Sequence, residues 1–175
     1  MKIKERIITN EAEAKRFITE QTRKIRKMVG KNKAICFVSG GVDSSAVAVM
    51  GWRALGRKNF HPVIIENGLM REGEIKSVQA VFSRAGIPLQ LIDASELFFD
   101  RLGGKVLPYD KRTAIRRTFY DEVLLEVVKK SGAKFFFQGT ILTDIEATAV
   151  DSKAPQHNVL EQIGIDIGDV EIIGG

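Results

Sequence analysis

The sequence predicts an α/β fold, a doubly wound parallel sheet with helices on both faces. Short apolar runs without polar alternation recur between stretches of helical spacing, as expected of strands covered on both sides. Alternation of strand and helix implies right-handed crossovers. The turns richest in glycine, acid and hydroxyl residues also fall just after the apolar runs, where ligands of such sheets bind.

Each element has its own signal. Asn10 caps a predicted helix running to Val29, with Glu11 and Glu13 in its first turn and Gly30 at its end. Lys33 to Val38 reads as a buried strand, and Ser44 to Leu55 as a helix ended by Gly56. His61 to Glu66 is a second strand, and Gly73 to Ala85 a helix stopped by Gly86 and Pro88. Leu89 to Asp93 is a third strand, Ser95 to Leu102 a short helix, Lys111 to Lys130 a long helix, and Lys134 to Gln138 a fourth strand. After Gly139 the periodicity weakens. Residues 1–175 are expected to form a single domain, with an N-terminal helix in 1–30 and an irregular, lid-like segment over 145–175.

Composition excludes several classes. With 44% apolar residues and strong periodicity the chain is globular rather than disordered. No apolar run approaches the ~18 residues that cross a bilayer, and the N-terminus lacks a hydrophobic signal core, so the reading is a cytoplasmic protein. Cys36, the one cysteine, can form neither an internal disulfide nor a cysteine-based zinc cluster and reads as a small buried hydrophobe. The net charge of +5 suits anionic ligands. Much of the excess lies between Lys15 and Lys33, where a solvated helix face explains it better than a nucleic-acid patch.

The chemistry concentrates in Ser39-Gly40-Gly41-Val42-Asp43-Ser44-Ser45, between the first strand and its helix. Adjacent glycines let the backbone turn sharply and let a ligand approach. Free N–H groups at the helix start favour a phosphate. Asp43 beside a phosphate would be repulsive unless a cation sat between them, and Mg²⁺ held by one carboxylate plus phosphate oxygens answers that. Alternatively Asp43 only caps the helix. The turn is neither a Walker loop, lacking the lysine, nor a G-x-G-x-x-G dinucleotide loop.

The Ser39–Ser45 turn resembles the signature of the N-type ATP pyrophosphatases, which hold the pyrophosphate part of ATP while a substrate oxygen attacks the α-phosphate. Glu66-Asn67-Gly68-Leu69-Met70-Arg71-Glu72-Gly73-Glu74, Asp93-Ala94-Ser95-Glu96 with Phe98, Lys111-Arg112 with Ile115, Arg117 and Phe119, Gln138-Gly139-Thr140 with Asp144, and His157-Asn158-Val159 follow in order. Together they resemble the ATP pyrophosphatase domain of the GMP synthetases. That resemblance implies an adenine nucleotide alpha hydrolase-like fold, ATP and Mg²⁺ as cofactors, and adenylation of XMP followed by amination to GMP.

It also implies site residues. Ser39, Gly40, Gly41, Val42, Asp43, Ser44, Ser45, Glu66, Asn67, Gly68, Gly139 and Thr140 would bind the nucleotide, with the ribose brought close by Gly139. Asp43 and Asp144 would hold the metal, and Asp43, Lys153 and Arg117 would serve catalysis. A separate glutaminase subunit is the implied ammonia source, and a homodimer is left open. Departures from the family pattern are Glu66 in place of Asp, Arg116 in place of Gly, Lys153 displaced by one position, and the loss of a histidine before His157. The pattern of a further C-terminal dimerisation and acceptor-site domain does not follow Gly175, so a fragment or a shortened relative is expected. A different acceptor, or a nucleotide-binding module without turnover, are the alternatives. The single cysteine weakens a sulfur-relay enzyme.

Overall fold

Helix and strand alternate through a five-stranded sheet in the computed structural model, which describes residues 8–139 and 171–174. In chain order the elements are α1 (Glu11–Val29), β1 (Ala34–Phe37), α2 (Val42–Asn59), β2 (Phe60–Glu66), α3 (Glu74–Arg84), β3 (Gln90–Asp93) and α4 (Ser95–Leu102). Then come α5 (Pro108–Arg117), a π-helical segment (Thr118–Leu124), α6 (Leu125–Ser131), β4 (Phe135–Gln138) and β5 (Glu171–Gly174). All pairings are parallel and the strand order is β3-β2-β1-β4-β5. The order reverses between β1 and β4, so the crevice that binds ligands in such sheets opens there.

Strand alternation divides the core into two layers. Ala34, Cys36 and Val38, with Phe60, Phe135 and Phe137, pack against α1, α2 and α3. Ile35, Val63, Ile65 and Phe136 face the other way, against Phe98 of α4 and Val123, Leu124 and Val128 farther along. The doubly wound architecture is therefore present, with helices on both faces. No described helix is long and apolar enough to cross a membrane.

Local capping follows the sequence closely at α1. Asn10 Oδ1 accepts from the Glu13 N–H at 2.9 Å. Replacing Asn10 by Ala is expected to cost about 1 kcal/mol, measurable as a lower urea midpoint with unchanged slope. Part of the basic excess proves structural. Arg26 donates through Nε to the Ala54 carbonyl at 2.7 Å and through Nη2 to that of Arg53 at 3.0 Å. It closes the end of α2, where helical geometry breaks at Gly56.

The long helix departs from expectation. It begins at Pro108 rather than Lys111, because proline suits a first helical turn. It also passes through a π-helical stretch before α6 ends at Ser131. There Arg101 of α4 forms a two-pronged pair with Glu122, at 3.0 and 2.8 Å. Of the C-terminal stretch read as irregular over 145–175, Glu171–Gly174 is instead an edge strand beside β4. Four residues are too few for periodicity to separate a strand from a loop, and pairing with β4 supplies what the pattern lacks.

The direction of this helix positions the site. Its end is tied to the amino edge of the sheet, with Lys33 Nζ 3.4 Å from the Ser131 carbonyl. Phe119 meets Phe37, the last residue of β1, with ring centroids 5.6 Å apart. α5 precedes Phe119 in the chain and so leads into the helix from the side of the carboxyl edge.

Candidate active site

The turn after β1 enters α2 through Gly41, which holds the N-cap position without any side-chain cap. Gly40 takes φ +86°, a left-handed conformation that L side chains rarely adopt. A Cβ there would also lie 3.2 Å from Val78 Cγ2 and 3.7 Å from Glu74 Oε1, so α3 packs directly against the turn.

The serine hydroxyls brace this turn. Ser44 Oγ accepts from the Ser39 N–H at 3.1 Å and lies 3.0 Å from Ser39 Oγ. Ser44 Oγ and Ser45 Oγ are within donating distance of the Gly41 carbonyl, at 3.2 and 2.7 Å. The first intrahelical bond runs from the Ser45 N–H to the same carbonyl at 3.2 Å. The N–H groups of Val42, Asp43 and Ser44 have no partner among the described residues. Three donors thus point out of a helix start at the switch point, with the dipole behind them.

Asp43 is exposed and makes no hydrogen bond or ion pair among the described residues. It is not the cap of α2, and the helix uses its charge only through the dipole of the first turn. A lone free carboxylate beside unpaired N–H groups fits a hard cation that draws its remaining ligands from phosphate oxygens and water. No group of three or more His, Cys, Asp or Glu among the described residues builds a metal cage by itself.

The neighbouring loops meet the same edge. Glu66 Oε1 accepts from the Gly68 N–H at 2.8 Å, and Asn67 Oδ1 from the Leu69 N–H at 2.9 Å, so both fold this loop on itself. Asp93 accepts from the Ser95 N–H and hydroxyl, at 3.0 and 2.6 Å. The hydroxyl and then the N–H hold the Asp93 carboxyl below its usual range. Arg117 is exposed near the end of α5, two residues before Phe119, and borders a cavity of about 470 Å³ with Leu107, Asp110 and Thr113.

Gly139 follows β4 and lies against the turn. A Cβ on it would fall 2.8 Å from the Ser44 nitrogen and 3.0 Å from the Asp43 carbonyl carbon. Ser39 to Ser45, Glu66 to Gly68 and Gly139 thus come to one edge, with Arg117 two residues before the Phe119 that meets β1. Thr140, Asp144, Lys153 and His157 lie outside the described residues. Sequence reading overlooked Glu74, whose Oε2 accepts from the Arg71 N–H at 3.1 Å and holds the start of α3 beside Gly40. Gly73 is the N-cap of α3, so no capping pattern marked this contact in the sequence.

A cavity of about 930 Å³ lies elsewhere. It is set against the sheet layer of Ile35, Val63 and Ile92 and reaches His61, Val127 and Lys130. Its lining includes Ala94 to Leu97 at the start of α4 but no glycine, so no backbone turn there admits a ligand as closely as Ser39–Ser45 does. Burial pushes the Cys36 thiol up to about 12, so it is no nucleophile.

A parallel sheet reversing at β1 and β4, with a diglycine turn at that point, is the architecture of the adenine nucleotide alpha hydrolase fold, and the chain is a domain of the N-type ATP pyrophosphatase family. The chain belongs to the NAD synthase family, whose model matches residues 12–101, just over half of it. It is 40% identical over 158 residues to a glutamine-hydrolyzing GMP synthase of Sulfurimonas denitrificans, covering 87% of this chain and 30% of that protein. It is 44% identical over 130 residues to one subunit of the glutamine-hydrolyzing GMP synthase of Pyrococcus horikoshii, covering 74% of this chain and 42% of that relative. The chain thus spans less than half the length of these relatives. Among solved structures it is similar to an NH3-dependent NAD synthetase of Campylobacter jejuni, with TM-score 0.61 and 12% identity, covering 75% of this chain and 58% of that one. A glutamine-dependent NAD+ synthetase of Acinetobacter baumannii in complex with ADP gives TM-score 0.64 and 14% identity, covering 84% and 29%. At these identities the structural likeness speaks for the fold.

Proposed function

We propose that this chain binds Mg²⁺-ATP at the Ser39–Ser45 turn and transfers the adenylyl group to an acceptor oxygen, releasing pyrophosphate. The acceptor oxygen forms a bond to the α-phosphorus as the bond from that phosphorus to the bridging oxygen of the β-phosphate breaks. The observation that carries this reading is the set of unpaired N–H groups on Val42, Asp43 and Ser44 beside the free Asp43 carboxylate. The N–H groups hold phosphate oxygens, and the helix dipole stabilises charge developing on the leaving pyrophosphate.

Asp43 would hold the metal with Asp144, and Glu66, Asn67, Gly68 and Thr140 would form the nucleoside end of the site. Mg²⁺, when bound, supplies positive charge to the phosphate oxygens. Arg117, at the end of α5, and Lys153 would contact phosphate or acceptor. No side-chain nucleophile is required; positioning and electrostatics carry the reaction.

XMP is the proposed acceptor, supported by identity to GMP synthases over most of this chain. Ammonia then attacks the adenylylated carbon and AMP departs, giving GMP. The relatives that are single subunits of a GMP synthase favour a separate glutaminase chain as the source of ammonia. A different acceptor is the second reading, favoured by Glu66 standing where the GMP synthetase pattern has Asp and by the NAD synthase family match.

Pyrophosphate release from ATP and Mg²⁺, measured with and without XMP and ammonium, separates these readings. Release that requires XMP, with GMP formed only when ammonium is added, is the expected result. Release indifferent to XMP selects another acceptor. ATP binding with no pyrophosphate under any condition overturns the catalytic reading.

A further inference from the structure

Gly139 stands where the family pattern suggests a ribose contact, yet the room its missing side chain leaves is already taken. A Cβ there would lie 2.8 Å from Ser44 N, 3.0 Å from the Asp43 carbonyl carbon and 3.1 Å from Ser44 Cα, all backbone atoms. Near-equality of the three distances places Gly139 over the face of the Asp43–Ser44 peptide. An atom lying along the Ser44 N–H would be clearly farther from the two flanking carbons. That N–H therefore stays open to a ligand while the peptide behind it rests on the end of β4.

We infer that Gly139 is a positioning residue: it sets the height of the α2 start, and hence of the Asp43 carboxylate and the unpaired N–H groups, above the switch point. The inference rests on the reading of this turn as the triphosphate cradle. The two strands at the reversal, β1 and β4, are paired through Ala34, Ile35 and Cys36 with Phe135, Phe136 and Phe137. The end of β4 is thus fixed by the sheet, and it is the helix start that must give way to any added atom. Displacing that start misaligns the donors without removing any group that touches ATP.

The test compares Gly139→Ala with Gly132→Ala. Gly132, in the turn after α6, has φ +64° and open space around its Cα, so its variant strains the backbone far from the turn. ATP and Mg²⁺ binding is followed by calorimetry well below each variant's melting temperature. Gly139→Ala is expected to raise the ATP Kd by about 10-fold or more, in keeping with the sensitivity of sites to displacements of an ångström. Gly132→Ala is expected to lower Tm and leave the Kd unchanged. A Gly139→Ala variant that binds ATP as wild type does overturns the inference. Wild-type protein that fails to bind ATP at all sinks the functional reading instead.

Should Gly139→Ala fail to fold, wild-type NMR decides. A nuclear Overhauser contact between the Gly139 α-protons and the Ser44 amide, with none from the ribose in the ATP complex, supports the role. A ribose contact to Gly139 overturns it.

Discussion

Asp43→Asn is expected to weaken binding of ATP in the presence of Mg²⁺ by about 10–100-fold, corresponding to loss of one charge-assisted contact of about 1.5–3 kcal/mol. The fold should survive. Asp43 is exposed, partnerless among the described residues and not the cap of α2. Its favourable place in the first helical turn is worth only about 0.3–1 kcal/mol. The sign should invert without metal. In EDTA the wild-type carboxylate faces the triphosphate directly, so removing its charge is expected to improve binding of free ATP. Affinity titrations of both proteins with and without Mg²⁺ check this, since a merely structural Asp43 would shift both conditions alike. Unchanged affinity in both would remove Asp43 from the site.

Phe137→Ala is expected to destabilise the domain by about 4 kcal/mol, as large-to-small core changes do. For a chain of this length that lowers Tm by about 12 °C. Phe137 is 1% exposed and meets the Phe60 ring edge-on with centroids 5.4 Å apart. Phe60 in turn lies so close over Gly51 of α2 that a Cβ there would fall 2.3 Å from the ring. The cavity would therefore open between β4, β2 and α2, the elements that carry Gly139, the Glu66 loop and the turn. Thermal unfolding followed by circular dichroism checks the size, and a shift of only a degree or two would contradict the packing described.

The fold was legible because most elements announce themselves. The Asn10 cap, the unbroken apolar run of Ala34-Ile35-Cys36-Phe37 and Gly56 where α2 breaks all match local chemistry to what is built. The missed pieces have tertiary causes. Glu171–Gly174 becomes a strand by pairing with β4, and the π-helical turn at Thr118–Leu124 joins α5 to α6 with no proline or glycine to mark it.

The candidate site was legible as a turn but less so in the contacts that hold it. Ser44 and Ser45, expected to bind the nucleotide, also brace the turn through their bonds with Ser39 and Gly41, which the sequence does not show. Glu74 and Gly139 act on the turn from other elements, which no spacing along the chain reveals.

The central claim is that a triphosphate sits on the start of α2. It is tested most directly by a crystal structure with Mg²⁺ and a non-hydrolysable ATP analogue bridged between the α- and β-phosphates. The account predicts phosphate oxygens on the N–H groups of Val42, Asp43 and Ser44, with the metal against Asp43. An analogue lodged instead in the cavity beside Ile35, His61 and Ile92, with the turn empty, would contradict it.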